Sequence, residues 1–258
     1  MSRFSFIYIG IFSLIISIFS FFNIIYSNYF NLYLNIDSYI YSLIFSFIFG
    51  FIFLIKKKRE IKVSIYEKII TVILGYLILP IFISIPYYFS IYNITFVNSY
   101  FESVSGFTST GFSVFENIEQ LDQSLILWRS TSQWIGGLYF LFSILLLIDI
   151  FDENLKKSLT NYISFNSSEI FKQAFKIIII YSLLTLLIFI ILRFVNLRTF
   201  NALNLSLTII SSGGFLSTNN LENLFQSDIS KIILSALMLL SFFSLFLTYN
   251  IFFTKKKN

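Results

Sequence analysis

Six long apolar runs, separated by short polar stretches, set the limits on what this chain can fold into. They cover residues 4–27, 38–55, 69–91, 125–150, 176–195 and 229–253, and each comes close to the roughly 20 apolar residues that a membrane-crossing helix needs. Hydrophobic residues make up 57% of the 258 positions and charged residues only 12%, whereas a soluble domain carries about 25% charged residues. A single water-soluble core does not fit this pattern, and a chain so apolar is not intrinsically disordered. The expected fold is an all-α polytopic membrane protein with six transmembrane helices. The first run is too long for a signal peptide and no small-x-small cleavage site follows it, so it reads as an uncleaved span. The 35 Phe and 16 Tyr reflect a bias towards residues with A/T-rich codons, so aromatic stripes carry little weight here.

Charge sets the orientation. Placing the six spans in alternation puts Arg3, the 56–62 cluster, Lys68, Lys156, Lys157, Lys172, Lys176 and the terminal Lys255, Lys256 and Lys257 on one side. That side holds fourteen basic residues against six acidic ones, and the other holds four against seven. By the positive-inside rule, both termini are cytoplasmic. The Lys56, Lys57, Lys58, Arg59 run then reads as a topology anchor facing membrane lipid rather than a nucleic-acid site. The chain has no His and no Cys. This excludes zinc sites, disulfides, thiol nucleophiles and every Ser-His or Cys-His catalytic arrangement. No enzyme activity and no cofactor is expected.

Two polar segments on the outer side, 96–124 and 199–228, are too polar to span and too long for tight turns. At an offset of 103 residues, 98–124 aligns without a gap on 201–227, with ten identities in 27 positions that include Ser109/Ser212, Gly111/Gly214, Phe112/Phe215 and Asn117/Asn220. Chance in this composition gives about three. Each unit therefore reads as helix, re-entrant segment, helix. The chain divides into an N-terminal helix pair with its basic loop (1–68), a first repeat (69–152) and a second repeat (153–258). Both repeats have the same orientation, which implies a pseudo-rotation axis along the membrane normal.

Non-helical backbone survives at membrane depth only when it is buried or lines a watery cavity. The candidates are Thr108, Ser109, Thr110 and Gly111 in the first repeat and Ser211, Ser212, Gly213 and Gly214 in the second. Loops of this kind present carbonyls that replace the hydration shell of a monovalent cation. Glycine permits the positive φ that turns successive carbonyls inward. The preceding short helices, about 98–107 and 201–210, would aim their negative ends at the ion. Neither cluster contains Asp or Glu, which disfavours a tight divalent site. Glu102 and Arg129 are expected to pair and fix the first short helix. Gly136 and Gly137 are expected to permit close helix contact. Trp128 suits the interfacial aromatic belt, and Trp134 reads as packing.

The run FESVSGFTSTGFSVFENIEQL from Phe101, followed by LWRSTSQWIGG, resembles the first pore loop and following helix of the Trk/Ktr/HKT potassium-uptake family. SSGGFLST from Ser211 resembles the second pore loop, and the likeness extends to the N-terminal helix pair, the 56–62 loop and Pro86. The resemblance implies a K⁺ filter with one key glycine per repeat, falling on Gly111 and Gly214, and a cytosolic nucleotide-binding regulatory subunit as a possible partner. It also implies plasma-membrane K⁺ uptake. Family members carry four repeats, and this chain carries two. Its Lys-rich end at 254–258 reads as a natural cytoplasmic terminus. Three outcomes follow: a second chain supplies the missing repeats, two copies close the ring, or the chain is a non-transporting scaffold or truncated remnant. The first is preferred. Where the family continues Gly-Gly-Met-Gly, this chain has Gly136-Gly137-Leu138-Tyr139, which puts the close helix packing there in question.

Overall fold

All regular structure among the described residues is helical. The computed structural model describes residues 3–55, 64–147, 167–225 and 227–242; the basic 56–62 cluster, Asp149, Asp152, Lys156, Lys157 and the terminal lysines lie outside the described residues. The long helices are α1 (Arg3–Tyr29), α2 (Ile36–Ile55), α3 (Ile65–Tyr88), α5 (Gln123–Leu147) and α6 (Ser167–Phe194). Two short helices, α4 (Phe96–Phe107) and α7 (Thr199–Ile210), are followed by extended loops, and α8 runs over Asp228–Phe242. Within these helices Ile7–Tyr29, Ile36–Leu54, Ile65–Tyr88 and Phe175–Phe194 are long and apolar enough to cross a membrane. The fourth run expected from sequence corresponds to α5, whose first half is polar and packed inside the protein. The sixth begins as α8, and its residues beyond 242 lie outside the described residues.

Local chemistry explains the helix boundaries. Ser64 and Glu67 form a reciprocal capping box at the start of α3, satisfying two N–H groups that the helix leaves without partners. Thr95 caps α4 by accepting a bond from the Asn98 N–H. Pro86 lies inside α3 and has no N–H to donate to the Phe82 carbonyl one turn back. The Ser42 hydroxyl of α2 donates to that carbonyl instead, at 3.1 Å. The neighbouring Ile83 carbonyl accepts the indole N–H of Trp128 at 3.0 Å. Trp128 is therefore buried between helices, its N–H satisfied by a carbonyl of α3.

Helices α1 and α2 form a tight hairpin. A Cβ added at Gly50 would lie 2.8 Å from the Gly10 carbonyl oxygen, and Ser20 donates to Ser42 across the pair at 3.0 Å. Helix α5 is the hub, packing against α1, α3, α4, α6 and α7. Its N-terminal end is tied to the hairpin by Asn23, which donates to the Ser124 carbonyl at 3.1 Å, and by Tyr39, whose hydroxyl meets that of Ser124 at 2.9 Å.

Tyr139, the residue that departs from the family glycine, is fully buried. Its hydroxyl donates to the Val72 carbonyl of α3 at 3.0 Å, and its ring lies edge-on to Tyr76 and Phe12. The space comes from Gly75, where an added Cβ would fall 1.8 Å from the tyrosine oxygen. Close packing is thus kept, with the glycine on the facing helix and the bulk on α5. We expect Gly75→Val to destabilise the protein by about 1–3 kcal/mol through overpacking, and Tyr139→Gly added to it to restore most of that loss. Thermal unfolding of the purified protein in detergent, followed by tryptophan fluorescence, measures both.

Candidate functional site

The two short helices and the turns that end them repeat each other closely in the backbone. Each helix has 12 residues. Each ends on a cap of nearly identical geometry, Thr108 at φ −86°, ψ 1° and Ser211 at φ −87°, ψ 0°. The next residue is left-handed in both: Ser109 and Ser212 each have φ 55°. The Thr110 N–H reaches back to the Ser105 carbonyl at 2.9 Å, and the Gly213 N–H reaches back to the Thr208 carbonyl at 2.9 Å. This six-to-one closure is the Schellman termination, usually completed by glycine in the left-handed position. Here serine takes that position twice. Further on, 3₁₀ turns at Ile118–Gln120 and Leu221–Asn223 match as well. Both short helices start two residues earlier than the sequence suggests.

Positive φ is not where glycine alone would put it. Gly111 has φ 83°, but Gly213 and Gly214 are not in the left-handed region. The reason is that helix termination needs its left-handed residue immediately after the cap, a position the serines fill. Gly214 instead provides room, because the loops meet at the paired glycines. A Cβ on Gly111 would fall 2.9 Å from the Gly214 Cα, whereas one on Gly214 would lie at an ordinary 3.5 Å from the Gly111 Cα.

The carbonyls of Thr108, Ser109, Thr110 and Gly111, and those of Ser211, Ser212, Gly213 and Gly214, accept no hydrogen bond among the described residues. Two carbonyls close by are committed. That of Phe112 accepts from the Ser105 hydroxyl at 2.5 Å, and that of Leu216 accepts from Arg129 at 3.3 Å. A cavity of about 260 Å³ lies at the ends of both short helices, lined by Phe107, Thr108, Ser109, Ser211 and Ser212 together with Gly136, Gly137, Tyr76 and Phe140. Both helices end there, bringing the negative ends of their dipoles to one space.

One face of α5 holds both loops. Arg129 Nε donates to Glu102 Oε1 at 2.8 Å, and both side chains are buried. Glu102 also accepts from the Ser113 hydroxyl at 3.1 Å and the Val114 N–H at 2.9 Å. Arg129 Nη2 donates to the Ser113 hydroxyl at 3.1 Å and Nη1 to the Leu216 carbonyl, while its guanidinium carbon sits 4.2 Å from the centre of the Phe215 ring. One turn on, Gln133 Oε1 accepts the Phe215 N–H at 3.2 Å. Gly136 then lets the Phe107 carbonyl approach, and Gly137 lets Ser211 and the Tyr181 hydroxyl approach; a Cβ at either would collide with them. Sequence reasoning missed Gln133 and Ser113. Gln133 was accessible, since 129, 133, 136 and 137 fall on one helical face.

No protein-family model matches the chain. An uncharacterized cation transporter of Methanocaldococcus jannaschii is 31% identical over 196 residues, covering 72% of this chain and 40% of that protein. The Trk system potassium uptake protein TrkG of Escherichia coli is 25% identical over 207 residues, covering 75% of this chain and 41% of its own length. The crystal structure of the potassium transporter TrkH from Vibrio parahaemolyticus matches with a TM-score of 0.72 at 22% identity, over 93% of this chain and 50% of that one. The chain is homologous to the Trk-type potassium-uptake proteins. It has the TrkH fold and spans about two fifths to one half of the length of the Trk-type proteins it matches.

Within this site, the buried ion pair is the interaction whose removal is most easily measured. Truncating one partner leaves the other charge buried and uncompensated, which costs roughly 3–5 kcal/mol. We expect Glu102→Leu to lower stability by about that amount. Arg129→Met added to it should recover part of the loss. Chemical denaturation in mixed micelles gives the three values.

Proposed function

We propose that the chain conducts K⁺ inward across the plasma membrane as half of a four-repeat Trk-type pore. The observation that carries this reading is the set of eight carbonyls at 108–111 and 211–214 that have no donor among the described residues, with residues 108, 109, 211 and 212 lining a cavity where two helix C-termini end. Oxygens of this kind replace water around a monovalent cation, and the helix ends add negative potential. In this reading, α5 and the helix beginning with α8 complete six spans, and α4 and α7 with their loops are re-entrant from the outer side. The excess of lysine and arginine on the side of the termini makes that side cytoplasmic. An inward-negative potential then contributes about 2.3 kcal/mol per charge per 100 mV to entry.

Two loops give half a ring. An open half-ring leaves loop backbone facing lipid, where an unsatisfied polar group costs several kcal/mol. A second chain supplying two more repeats removes that cost, and the relatives' greater length supports this. A nucleotide-binding cytosolic subunit is a further candidate partner.

The test is growth of a K⁺-uptake-deficient cell at low K⁺ when the chain is expressed with the product of the neighbouring gene. Rescue supports transport, and no rescue under any pairing favours a non-transporting scaffold. Within a rescuing pair we expect Gly111→Ser to abolish uptake. Its backbone is left-handed and its Cβ would meet Gly214. Gly214→Ser should be milder, lowering K⁺ over Na⁺ selectivity in ⁸⁶Rb⁺ competition before it lowers flux.

A further inference from the structure

The short helices and their terminating turns match in backbone, but only one of the two loops is covered. Phe215 is 2% exposed, whereas its repeat counterpart Phe112 is 69% exposed. What covers Phe215 is α5, a helix of the preceding repeat. It places Arg129 over the ring and on the Leu216 carbonyl, Gln133 on the Phe215 N–H, and Gly137 against Ser211. Each of those groups has a counterpart in the first loop: the Phe112 ring, the Ser113 carbonyl, the Phe112 N–H and the Thr108 end. Among the described residues, the Phe112 N–H has no acceptor and the Ser113 carbonyl has no donor. The edge at Phe112 is thus the uncovered copy of an interface that the chain already builds once.

The covering helix cannot come from a second copy in the same register. Helix α5 is already occupied, and α8 is the helix left over. At the α8 positions corresponding to Arg129, Gln133, Gly136 and Gly137, an offset of 103 residues places Ile232, Ala236, Leu239 and Leu240. These offer no cation, no amide and no room for a loop to approach. Resting on the open half-ring reading above, we infer that Phe112 docks a different chain, through a helix bearing an arginine, a glutamine four residues later and two small residues at seven and eight. This continues the α5 interface by one step around the ring.

The inference is tested by making α8 resemble α5. Leu205, at the position corresponding to Glu102, is buried, so the graft is Leu205→Glu with Ile232→Arg, Ala236→Gln, Leu239→Gly and Leu240→Gly. Donor- and acceptor-labelled full-length chains are co-reconstituted in phosphatidylcholine vesicles, and energy transfer gives the association constant with and without Phe112→Ala. Association that depends on Phe112 should be absent in the natural chain. The graft should gain at least tenfold, and Phe112→Ala should remove that gain. Phe112-dependent self-association of the natural chain would overturn the inference in favour of a second copy. A folded graft without gain would overturn it in favour of lipid or another surface. Fluorescence of Trp128 and Trp134 reports folding; if the full graft is unfolded, Ala236→Gln with Leu240→Gly makes the same comparison. No K⁺ flux enters the measurement, so loss of the transport reading and loss of this one are separate results.

Discussion

The buried Arg129–Glu102 pair is the constraint around which the two loops are built. An ion pair withdrawn from water gains little net stability, since desolvation offsets the attraction. Its value here is positional. The guanidinium has a rigid fork of donors, and this one spends them on three different segments, Glu102 in α4, Ser113 in the first loop and the Leu216 carbonyl in the second, while its face rests on the Phe215 ring. Lysine could not span that set from one position. The remaining Glu102 oxygen holds the Val114 N–H, so the chain is fixed just after the carbonyls that stay uncommitted.

That division of labour leaves carbonyls 108–111 and 211–214 free while their neighbours are tied. A loop fastened immediately before and after an uncommitted stretch keeps its shape without using the stretch itself. Ser105 and Phe112 close the first loop in this way, and Gln133 with Phe215 closes the second. The left-handed serines after each cap turn the chain out of the helix, and Gly111 supplies the further positive φ and the close approach to Gly214. The order is physical: termination comes first, then the turn, then contact between loops.

Much of this was legible in the sequence because the repeat lies in polar positions, where codon bias towards Phe and Ile has little influence. The offset of 103 residues located both short helices to within two residues and paired Gly111 with Gly214. What escaped depends on distant partners. Nothing local marks Gly75 as the recess for Tyr139, 64 positions away. Serine is an unusual choice for a left-handed cap, so the glycines drew the conformational argument instead. The burial of Trp128 was not marked because it depends on the Ile83 carbonyl of another helix.

The repeats agree in the backbone of their short helices and terminating turns and diverge in side chains, and this separates two requirements. The direction of the carbonyls depends on backbone course, which is duplicated through the caps, where angles agree within a degree, and departs at Gly111, whose φ is positive where that of Gly214 is not. Support of the loops depends on side chains, and these are concentrated in α5. Arg129, Gln133, Gly136 and Gly137 serve a loop on each side, while Ile232, Ala236, Leu239 and Leu240 of α8 serve neither with polar contacts. A duplicated helix freed from holding a polar loop loses the reason to keep a buried charge, because an unpaired one costs several kcal/mol. The two units can therefore stay alike in their helix-terminating turns and differ where they meet other helices, so that turn geometry and choice of neighbour vary independently.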